Sequence, residues 1–311
     1  MDSLPVISII TPVYNGEKYI SETINSVLSA DIGVPYEYLV LDDGSHDSTL
    51  SILSGFGSSI RSFSHENIGE SATVNRGLKN AIGEFILVLS ADDPMLTGEL
   101  VTQAVKILNS NHSLVALYPD WKIINDAGST LKINILPNYS DELMIGQCLC
   151  LPGPGVVFRK DAAIKVGGRN SKWKFVGDYD FWLRLSREGG IERLPGVMAQ
   201  WRDNLDSTSV SQRGERMAKE RIQVIEDFLV NHEFSKDLSK KALGNANYLA
   251  ARLAFFDPAI DGKKLLLTAF KIRNGWPEAA KIYEVVYLLL LPLSNKILSL
   301  FPKVKSRISA R

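Results

Sequence analysis

The first 120 residues alternate short apolar runs with stretches in which apolar residues recur at helical spacing. This alternation is typical of βαβ units around a buried, mostly parallel sheet. Between the first two runs, Ile20, Ile24, Val27 and Leu28 predict a crossover helix with one apolar face. The strands are predicted at Val6–Ile10, Tyr38–Leu41, Ile60–Ser64, Phe85–Leu89 and Leu114–Tyr118.

The pattern changes after residue 121, where the alternation gives way to sequence rich in proline and glycine. Such sequence covers 151–155 and recurs at Gly167 and Gly168, before a stretch of helical period at 179–187. From residue 211 onwards the pattern is almost continuously helical. We therefore predict an α/β domain at 1–210 and a helical C-terminal extension at 211–311.

The last thirty residues contain a strongly apolar segment, Val285–Leu293, followed by basic residues. This segment is shorter than the roughly 20 residues that a membrane-spanning helix needs. An apolar segment with a basic end is suited to the surface of an anionic membrane. The alternative is a helix packed on the domain with a solvated tail. The basic residues are Lys296, Lys303, Lys305, Arg307 and Arg311, with no acidic residue among them.

Composition narrows the class of protein. The content of 45% apolar and 23% charged residues is that of an ordinary globular chain, and 35 basic residues balance 35 acidic ones. Binding to nucleic acid through a global positive charge is therefore excluded. Cys148 and Cys150 are too few for structural zinc and badly spaced for a disulfide, which indicates reduced thiols. Because residues 1–5 carry no basic and apolar leader, we expect a cytoplasmic protein.

Paired carboxylates follow two of the predicted strands. Asp42 and Asp43 follow the second strand, and Asp92 and Asp93 follow the fourth. Ligands of open α/β sheets bind at the carboxyl ends of the strands, where these acids would meet. Such acids repel one another unless a cation lies between them, and Mg²⁺ or Mn²⁺ takes oxygen ligands. The alternative is that they form turns and cap the helices that follow.

Seven segments along roughly residues 5–205 form an ordered set of motifs. They are Ile7–Gly16, Asp42–Ser45, Asn67–Gly69, Asn75–Gly77, Gly83–Phe85, Ser90–Asp93 and Gly177–Arg184. Their order and spacing resemble glycosyltransferase family 2. The resemblance implies an α/β, GT-A nucleotide-diphospho-sugar transferase fold, with a mostly parallel central sheet flanked by helices. It also implies an inverting, non-processive transferase.

The resemblance also implies roles for individual residues. Tyr14 would stack on the base of the nucleotide, Asp43 would accept a hydrogen bond from the base, and Asp92 would bind Mg²⁺ or Mn²⁺. This chain has Ser90 where the family usually has an acid that meets the ribose. The nucleotide-binding set implied by the family is Thr11, Pro12, Tyr14, Asp42, Asp43, Asn67, Asn75, Ser90 and Ala91.

Asp178 matches the general base of the family, with Gly177 in place of the usual glutamate. The alternative is that Asp178 only caps the helix that follows it. Asp93, Trp201 and Arg202 are assigned to the diphosphate or the acceptor, since the family's basic residue before Asn75 is missing here. The competing function is a binding module that has lost catalysis.

The partners implied are a nucleoside-diphosphate sugar, preferably a UDP-sugar, and a saccharide or lipid-linked saccharide acceptor. A donor and an acceptor of these kinds are used in the assembly of a cell-surface polysaccharide or glycan. We therefore expect the protein to act in such assembly, attached peripherally to the inner face of the cytoplasmic membrane.

Overall fold

The computed structural model describes residues 4–204, 214–277, 280 and 282–290. Contacts divide the chain into two compact units. The first consists of residues 1–139, 150–172 and 177–204, and the second of residues 140–149, 173–176 and 205–311. The predicted basic tail at 296–311 lies outside the described residues.

The first unit is built on one mixed sheet with strand order β3-β2-β1-β4-β7-β5-β6, and β8 also pairs with β5. Strands β1 to β4 form the parallel part and occupy the predicted places with shifted ends. The apolar residues of β1 and β2 and most of those of β4 are almost fully buried, and each fully buried Ile or Leu contributes about 1.5–3 kcal/mol. The strands are β1 (Ile7–Val13), β2 (Tyr36–Asp42), β3 (Arg61–Ser64) and β4 (Phe85–Val88).

Helices alternate with these strands and cover the sheet. The apolar face of α1 consists of Ile20, Ile24 and Val27, which are all fully buried in one core with β1, β2 and β4. The predicted crossover helix is therefore confirmed. The helices of the first unit are α1 (Ile20–Leu28), α2 (Thr49–Gly55), α3 (Glu70–Asn80), α4 (Glu99–Ser110), α5 (Lys160–Lys165) and α6 (Gly177–Leu185).

The second half of the sheet is more regular than the sequence indicates. The predicted strand at 114–118 continues to residue 124, and a further long strand, β8, pairs with it in parallel. Strand β7 is antiparallel to both β4 and β5, and β6 is antiparallel to β5. The strands are β5 (Leu114–Ile124), β6 (Thr130–Asn134), β7 (Val157–Arg159) and β8 (Gly190–Arg202).

The described part of the second unit is helical, as predicted for the C-terminal region. Its apolar core includes Tyr248, Leu266 and Leu288. Ser235 and Asp261 cap α8 and α9 by accepting backbone N–H bonds. The described residues contain no helix with the length and hydropathy needed to span a bilayer. The helices are α7 (Glu215–Asn231), α8 (Lys236–Arg252), α9 (Gly262–Arg273) and α10 (Ile282–Leu290).

Candidate active site

Three neighbouring parallel strands end at the same edge of the sheet. Strand β1 lies between β2 and β4, and all three run in the same direction. Their carboxyl ends therefore bring together the segments at 11–14, 42–45 and 90–93. This is the edge at which open α/β sheets bind their ligands.

At the end of β2 the two adjacent acids have different surroundings. Asp42 is fully buried, and its carboxylate accepts hydrogen bonds from the Ser45 backbone N–H at 3.2 Å and the Ser64 hydroxyl at 2.9 Å. The turn from Asp42 to Ser45 requires glycine at position 44. Gly44 has φ +76°, and a Cβ there would lie 2.7 Å from the backbone nitrogen of Asn67. The contacts of Asp42 are therefore those of a residue that shapes the turn, and its nucleotide role stays a prediction.

Asp43 connects β2 to the loop before α3. Its two carboxylate oxygens accept the backbone N–H groups of Ile68 at 2.7 Å and Gly69 at 3.0 Å. The Asn67 side chain donates to the Asp43 carbonyl at 3.0 Å. A carboxylate has about four acceptor positions, of which these bonds use two, and His65 Nδ1 lies 3.5 Å from Oδ1. Asp43 is buried in this structure, and its hydrogen bond to a nucleotide base stays a prediction.

At the end of β1, Tyr14 has the accessibility that a stacking residue needs. Its side chain is 49% exposed and meets the ring of His46 edge-on at 6.5 Å. Thr11 is buried instead, and its hydroxyl is 3.0 Å from that of Tyr38. Thr11 and the buried Pro12 therefore shape the strand end, while Tyr14 presents a ring face to solvent.

Asp93, at the end of β4, is buried within the protein. It accepts the Arg202 backbone N–H at 2.7 Å, and the Ser90 hydroxyl also donates to it. Burial raises the pKa of Asp93 well above its ordinary value, and the charge of neighbouring Asp92 adds to this effect. The hydrogen bonds of Asp93 are therefore made within the protein, and its assignment to the diphosphate or the acceptor stays a prediction.

Asp92 is half-buried, and the Asn204 amide approaches one of its oxygens at 3.4 Å. Desolvation raises the pKa of Asp92, the nearby charge of Glu70 raises it further, and Asn204 and Arg202 oppose the shift. The site thus holds a carboxylate whose negative charge is incompletely compensated. Ala91, beside it, accepts a hydrogen bond from the Thr23 hydroxyl at 2.8 Å through its carbonyl.

This chemistry fits a divalent cation that is bound mainly by its substrate. Within the described residues, no three His, Cys, Asp or Glu side chains converge into a metal cage made by the protein alone. Mg²⁺ and similar ions are commonly held by one or two carboxylates together with substrate phosphates and water. Asp92 meets that requirement, because its charge is poorly compensated and the amide of Asn204 lies as far as 3.4 Å from its carboxylate.

Arg202 lies inside the protein rather than in the site, with its side chain 0% exposed. Its guanidinium donates to three backbone carbonyls, to the Glu22 carboxylate at 2.8 Å, and lies over the Tyr19 ring. These contacts are those of a structural residue, and the assignment of Arg202 to the diphosphate or the acceptor stays a prediction. Trp201, next to it, packs edge-on against Trp121 with centroids 6.4 Å apart. The three carbonyls belong to Asp92 (2.9 Å), Asn125 (3.0 Å) and Asp126 (2.8 Å).

Asp178 lies in the first turn of α6. Its carboxylate accepts the Tyr179 backbone N–H at 2.7 Å, which is the helix-start contact considered as the alternative to catalysis. Asp178 is exposed to solvent, although many protein atoms lie around its carboxylate. Desolvation by these atoms raises the pKa of Asp178, and the positive charge of Arg169 opposes the shift. A carboxylate that is accessible and has a raised pKa is suited to accept a proton.

Sequence reasoning did not identify Glu70 and Arg169. The charge of Glu70 acts on both Asp92 and Asp178, which places these two predicted residues in one electrostatic neighbourhood. Arg169 pairs with Glu70 at 2.7 Å. The only signal in the sequence was the Gly167-Gly168 pair before Arg169.

Asn75 holds the loop that carries Arg169. Its side chain donates to the Arg169 carbonyl at 2.7 Å and accepts the Arg169 N–H at 2.8 Å. On the other side, Arg184 of α6 donates to the carbonyls of Val166 and Gly168. The predicted role of Asn75 in nucleotide binding stays a prediction, since both hydrogen-bonding atoms of its amide face this loop.

Replacing Gly168 with alanine is expected to destabilise the protein by more than the same change at Gly167. Both glycines have positive φ, so each alanine adds about 1–3 kcal/mol of backbone strain. A Cβ at Gly168 would also lie 2.3 Å from the Asn75 Oδ1, whereas a Cβ at Gly167 would meet nothing within 4 Å. Urea denaturation of the two variants measures the difference, and equal stabilities would refute the close approach to Asn75.

Comparison with known proteins agrees with this geometry. The family model described as Glycosyl transferase family 2 matches residues 8–165, which include the ends of β1, β2 and β4. The chain belongs to glycosyltransferase family 2. The resemblance drawn from the sequence motifs is thereby confirmed.

Curated glycosyltransferases are similar to this chain over 60 to 73% of its length. An uncharacterized glycosyltransferase of Rickettsia typhi is 31% identical over 205 residues, which cover 60% of each chain. The present chain therefore spans 60% of the length of that relative. WfgD of Escherichia coli is 27% identical over 228 residues, covering 73% of this chain and 87% of WfgD. It is named a UDP-Glc:alpha-D-GlcNAc-diphosphoundecaprenol beta-1,3-glucosyltransferase.

Solved structures confirm the GT-A type of fold for this family 2 chain. Residues 1–349 of S. aureus TarS, solved with UDP-GlcNAc, match with a TM-score of 0.63 and 20% identity, covering 92% of this chain and 85% of that one. A mannosyltransferase from Pyrobaculum calidifontis, in complex with GDP-Man and Mn²⁺, matches with a TM-score of 0.57 and 16% identity, covering 94% and 87%.

Proposed function

We propose that this protein is an inverting glycosyltransferase that moves one sugar from a nucleoside-diphosphate sugar to a hydroxyl group of an acceptor. The observation that carries this proposal is the shared neighbourhood of Asp92 and Asp178. Both carboxylates have pKa values raised by the surrounding protein, and both feel the charge of Glu70. Carboxylates with raised pKa values in one site favour catalysis over a purely structural role.

In this mechanism Asp178 removes the proton of the acceptor hydroxyl as its oxygen attacks the anomeric carbon. The bond between that carbon and the diphosphate oxygen breaks, and the configuration at the carbon inverts in a single step. Tyr14 stacks on the base, and Asp43 accepts a hydrogen bond from it. These two residues hold the donor so that the attacking oxygen approaches opposite to the leaving group.

Asp92 holds a divalent cation, Mg²⁺ or Mn²⁺, together with the phosphates of the donor. When bound, this ion neutralises negative charge on the departing diphosphate. Asn204 orients the Asp92 carboxylate through its amide, and Arg202 fixes the backbone of the same residue. The Mn²⁺ in the structure of the related mannosyltransferase supports this assignment for the present chain.

A UDP-sugar is the preferred donor and a lipid-linked saccharide the preferred acceptor. Support for the donor comes from the UDP-Glc in the name of WfgD and the UDP-GlcNAc bound to TarS. WfgD is named for an acceptor linked to diphosphoundecaprenol, which is a membrane lipid. We propose the same classes of donor and acceptor for this chain. The reaction would then contribute to assembly of a cell-surface polysaccharide at the inner face of the cytoplasmic membrane. The apolar segment and basic residues at the C-terminus favour peripheral attachment there.

A donor panel tests the proposed function. Release of nucleoside diphosphate from UDP-, GDP- and dTDP-sugars is measured with Mg²⁺ or Mn²⁺ and with EDTA, in the presence of a diphosphoundecaprenol-linked saccharide. We expect turnover with one donor, loss of turnover in EDTA, and loss of at least about 10²-fold in Asp92→Ala, because leaving-group charge is then uncompensated. Nucleotide binding without turnover across the whole panel would instead support a catalytically inactive binding module.

A further inference from the structure

The proposed function does not use Arg169, whose backbone is held firmly beside the site. Its Cα position is fixed, because Asn75 binds both its N–H and its carbonyl, at 2.8 and 2.7 Å. Arg184 binds the carbonyl of the preceding residue, Gly168, at 2.9 Å. A loop held from two helices in this way presents its last side chain in a defined direction.

The side chain of Arg169 is mostly buried, yet its ion-pair partner is not. Arg169 is 13% exposed, whereas the Glu70 carboxylate that it binds at 2.7 Å is 69% exposed. A pair with an exposed carboxylate contributes at most about 1 kcal/mol to stability. The contact thus adds little to folding, and Glu70 can swing away into water at low cost. In this geometry Glu70 is an anion that another anion can replace.

Arg169 is the candidate anion-binding group among the charges near Asp92 and Asp178. Asp92 and Asp178 both feel the negative charge of Glu70, and Asp178 also feels the positive charge of Arg169. Arg202, the other guanidinium close to Asp92, is fully buried and donates to protein atoms. Two arginines among the described residues influence the charges of Asp92 and Asp178, namely Arg202 and Arg169. Of these two, Arg169 is the one whose guanidinium can also donate to a ligand.

We propose that Arg169 binds the diphosphate of the donor and that Glu70 is the counter-ion which occupies Arg169 when no donor is bound. This inference rests on the proposed transferase function and adds a substrate-binding residue to it. Arginine suits the task, because its planar fork can donate two parallel hydrogen bonds to one phosphate. Arg169 then stabilises negative charge on the leaving group.

Equilibrium binding tests the proposal without turnover. The full chain is titrated with UDP, GDP and dTDP in the presence of Mg²⁺, and the tightest of these is compared with its nucleoside. Arg169→Gln is expected to weaken diphosphate binding about 10- to 100-fold, since a hydrogen bond to a charged group is lost. The affinity for the nucleoside should stay unchanged. Arg169→Lys, which keeps the charge without the fork, should lie between Arg169→Gln and the wild type.

The direction in which Glu70→Gln changes the diphosphate affinity decides whether Glu70 is a counter-ion. If Glu70 competes with the phosphates, its removal should strengthen diphosphate binding several-fold, whereas a purely structural ion pair predicts unchanged or weaker binding. Arg76→Gln, an exposed arginine on the same helix, is the matched control and should bind as the wild type does.

The outcomes separate the two proposals. Wild-type binding with an unchanged Arg169→Gln affinity would overturn the role of Arg169 alone. Weaker binding in Glu70→Gln would overturn the counter-ion role. A wild type that binds no nucleoside diphosphate would remove the transferase function and the role of Arg169 together.

Discussion

Asp178→Asn is expected to lower kcat about 10²- to 10⁴-fold while leaving donor binding intact, since it removes the general base and little else. The asparagine side-chain oxygen can still accept the Tyr179 N–H that the wild-type carboxylate accepts at 2.7 Å. The start of α6 is thereby preserved. Donor affinity and the rate of nucleoside diphosphate release are the two measurements, and only the rate should change.

The same variant is expected to be more stable than the wild type at neutral pH. Because the fold raises the pKa of Asp178, the folded protein holds this proton more tightly than the unfolded chain does. The ionised carboxylate therefore costs stability as the pH rises from about 4, the unfolded pKa, through the folded pKa. Tm of Asp178→Asn should exceed that of the wild type at pH 7, and the difference should vanish below pH 4. In the active enzyme, kcat/KM should fall as the pH drops through the raised pKa.

Asp161→Asn is the matched control for this prediction. Asp161 lies in the first turn of α5 and accepts the backbone N–H of the next residue at 2.7 Å, as Asp178 does in α6. A role confined to the helix start would make the two variants behave alike. Full activity in Asp178→Asn, or an equal loss in Asp161→Asn, would refute the assignment of the general base.

Arg202→Ala is expected to cost about 3–5 kcal/mol of stability, the largest structural effect among these variants. Its guanidinium donates to the carbonyls of Asp92, Asn125 and Asp126, and losing a hydrogen bond from a charged donor costs about 1.5–3 kcal/mol. The loss is smallest at Asn125, whose carbonyl also accepts the Gly128 N–H. Part of the loss is recovered because water can enter the space that the side chain leaves.

Arg202→Lys separates charge from geometry at this position. An ammonium keeps the positive charge but has three donors at one point, so it cannot reach three carbonyls and the Glu22 carboxylate together. Its stability in urea should lie well below that of the wild type and above that of Arg202→Ala. A loss within 1 kcal/mol for Arg202→Ala would contradict the structural role and favour ligand contact instead.

The sequence predicts best what local pattern determines. Apolar runs bounded by turn residues located β1 to β5, and the paired acids marked the sheet edge where ligands bind. Strand β8 escaped prediction, because Pro195 and Gly196 interrupt its pattern and its pairing with β5 shifts register near Asp120. Its place in the sheet is set by pairing with a strand about 75 residues earlier, which no local pattern records.

The site shows the same division between local and distant information. Motifs identified Asp43, Asp92 and Asp178 as candidates, but not what surrounds them. Arg202 was assigned to the ligand from its sequence neighbours, whereas its contacts lie 76 to 180 residues away and bury it. Only the fold distinguishes an arginine that binds substrate from one that supports the backbone.

The loop at 166–169 also bears on how such enzymes can be recombined. Asn75 lies in α3, Gly168 in the loop and Arg184 in α6. The loop conformation depends on all three residues together. Asn75 and the backbone it grips are 94 residues apart in sequence. A chimera that exchanges acceptor-side segments between relatives must therefore transfer these three positions as one set. If the crossover point falls between them, the chimera contains one hydrogen-bonding partner of the loop without the other.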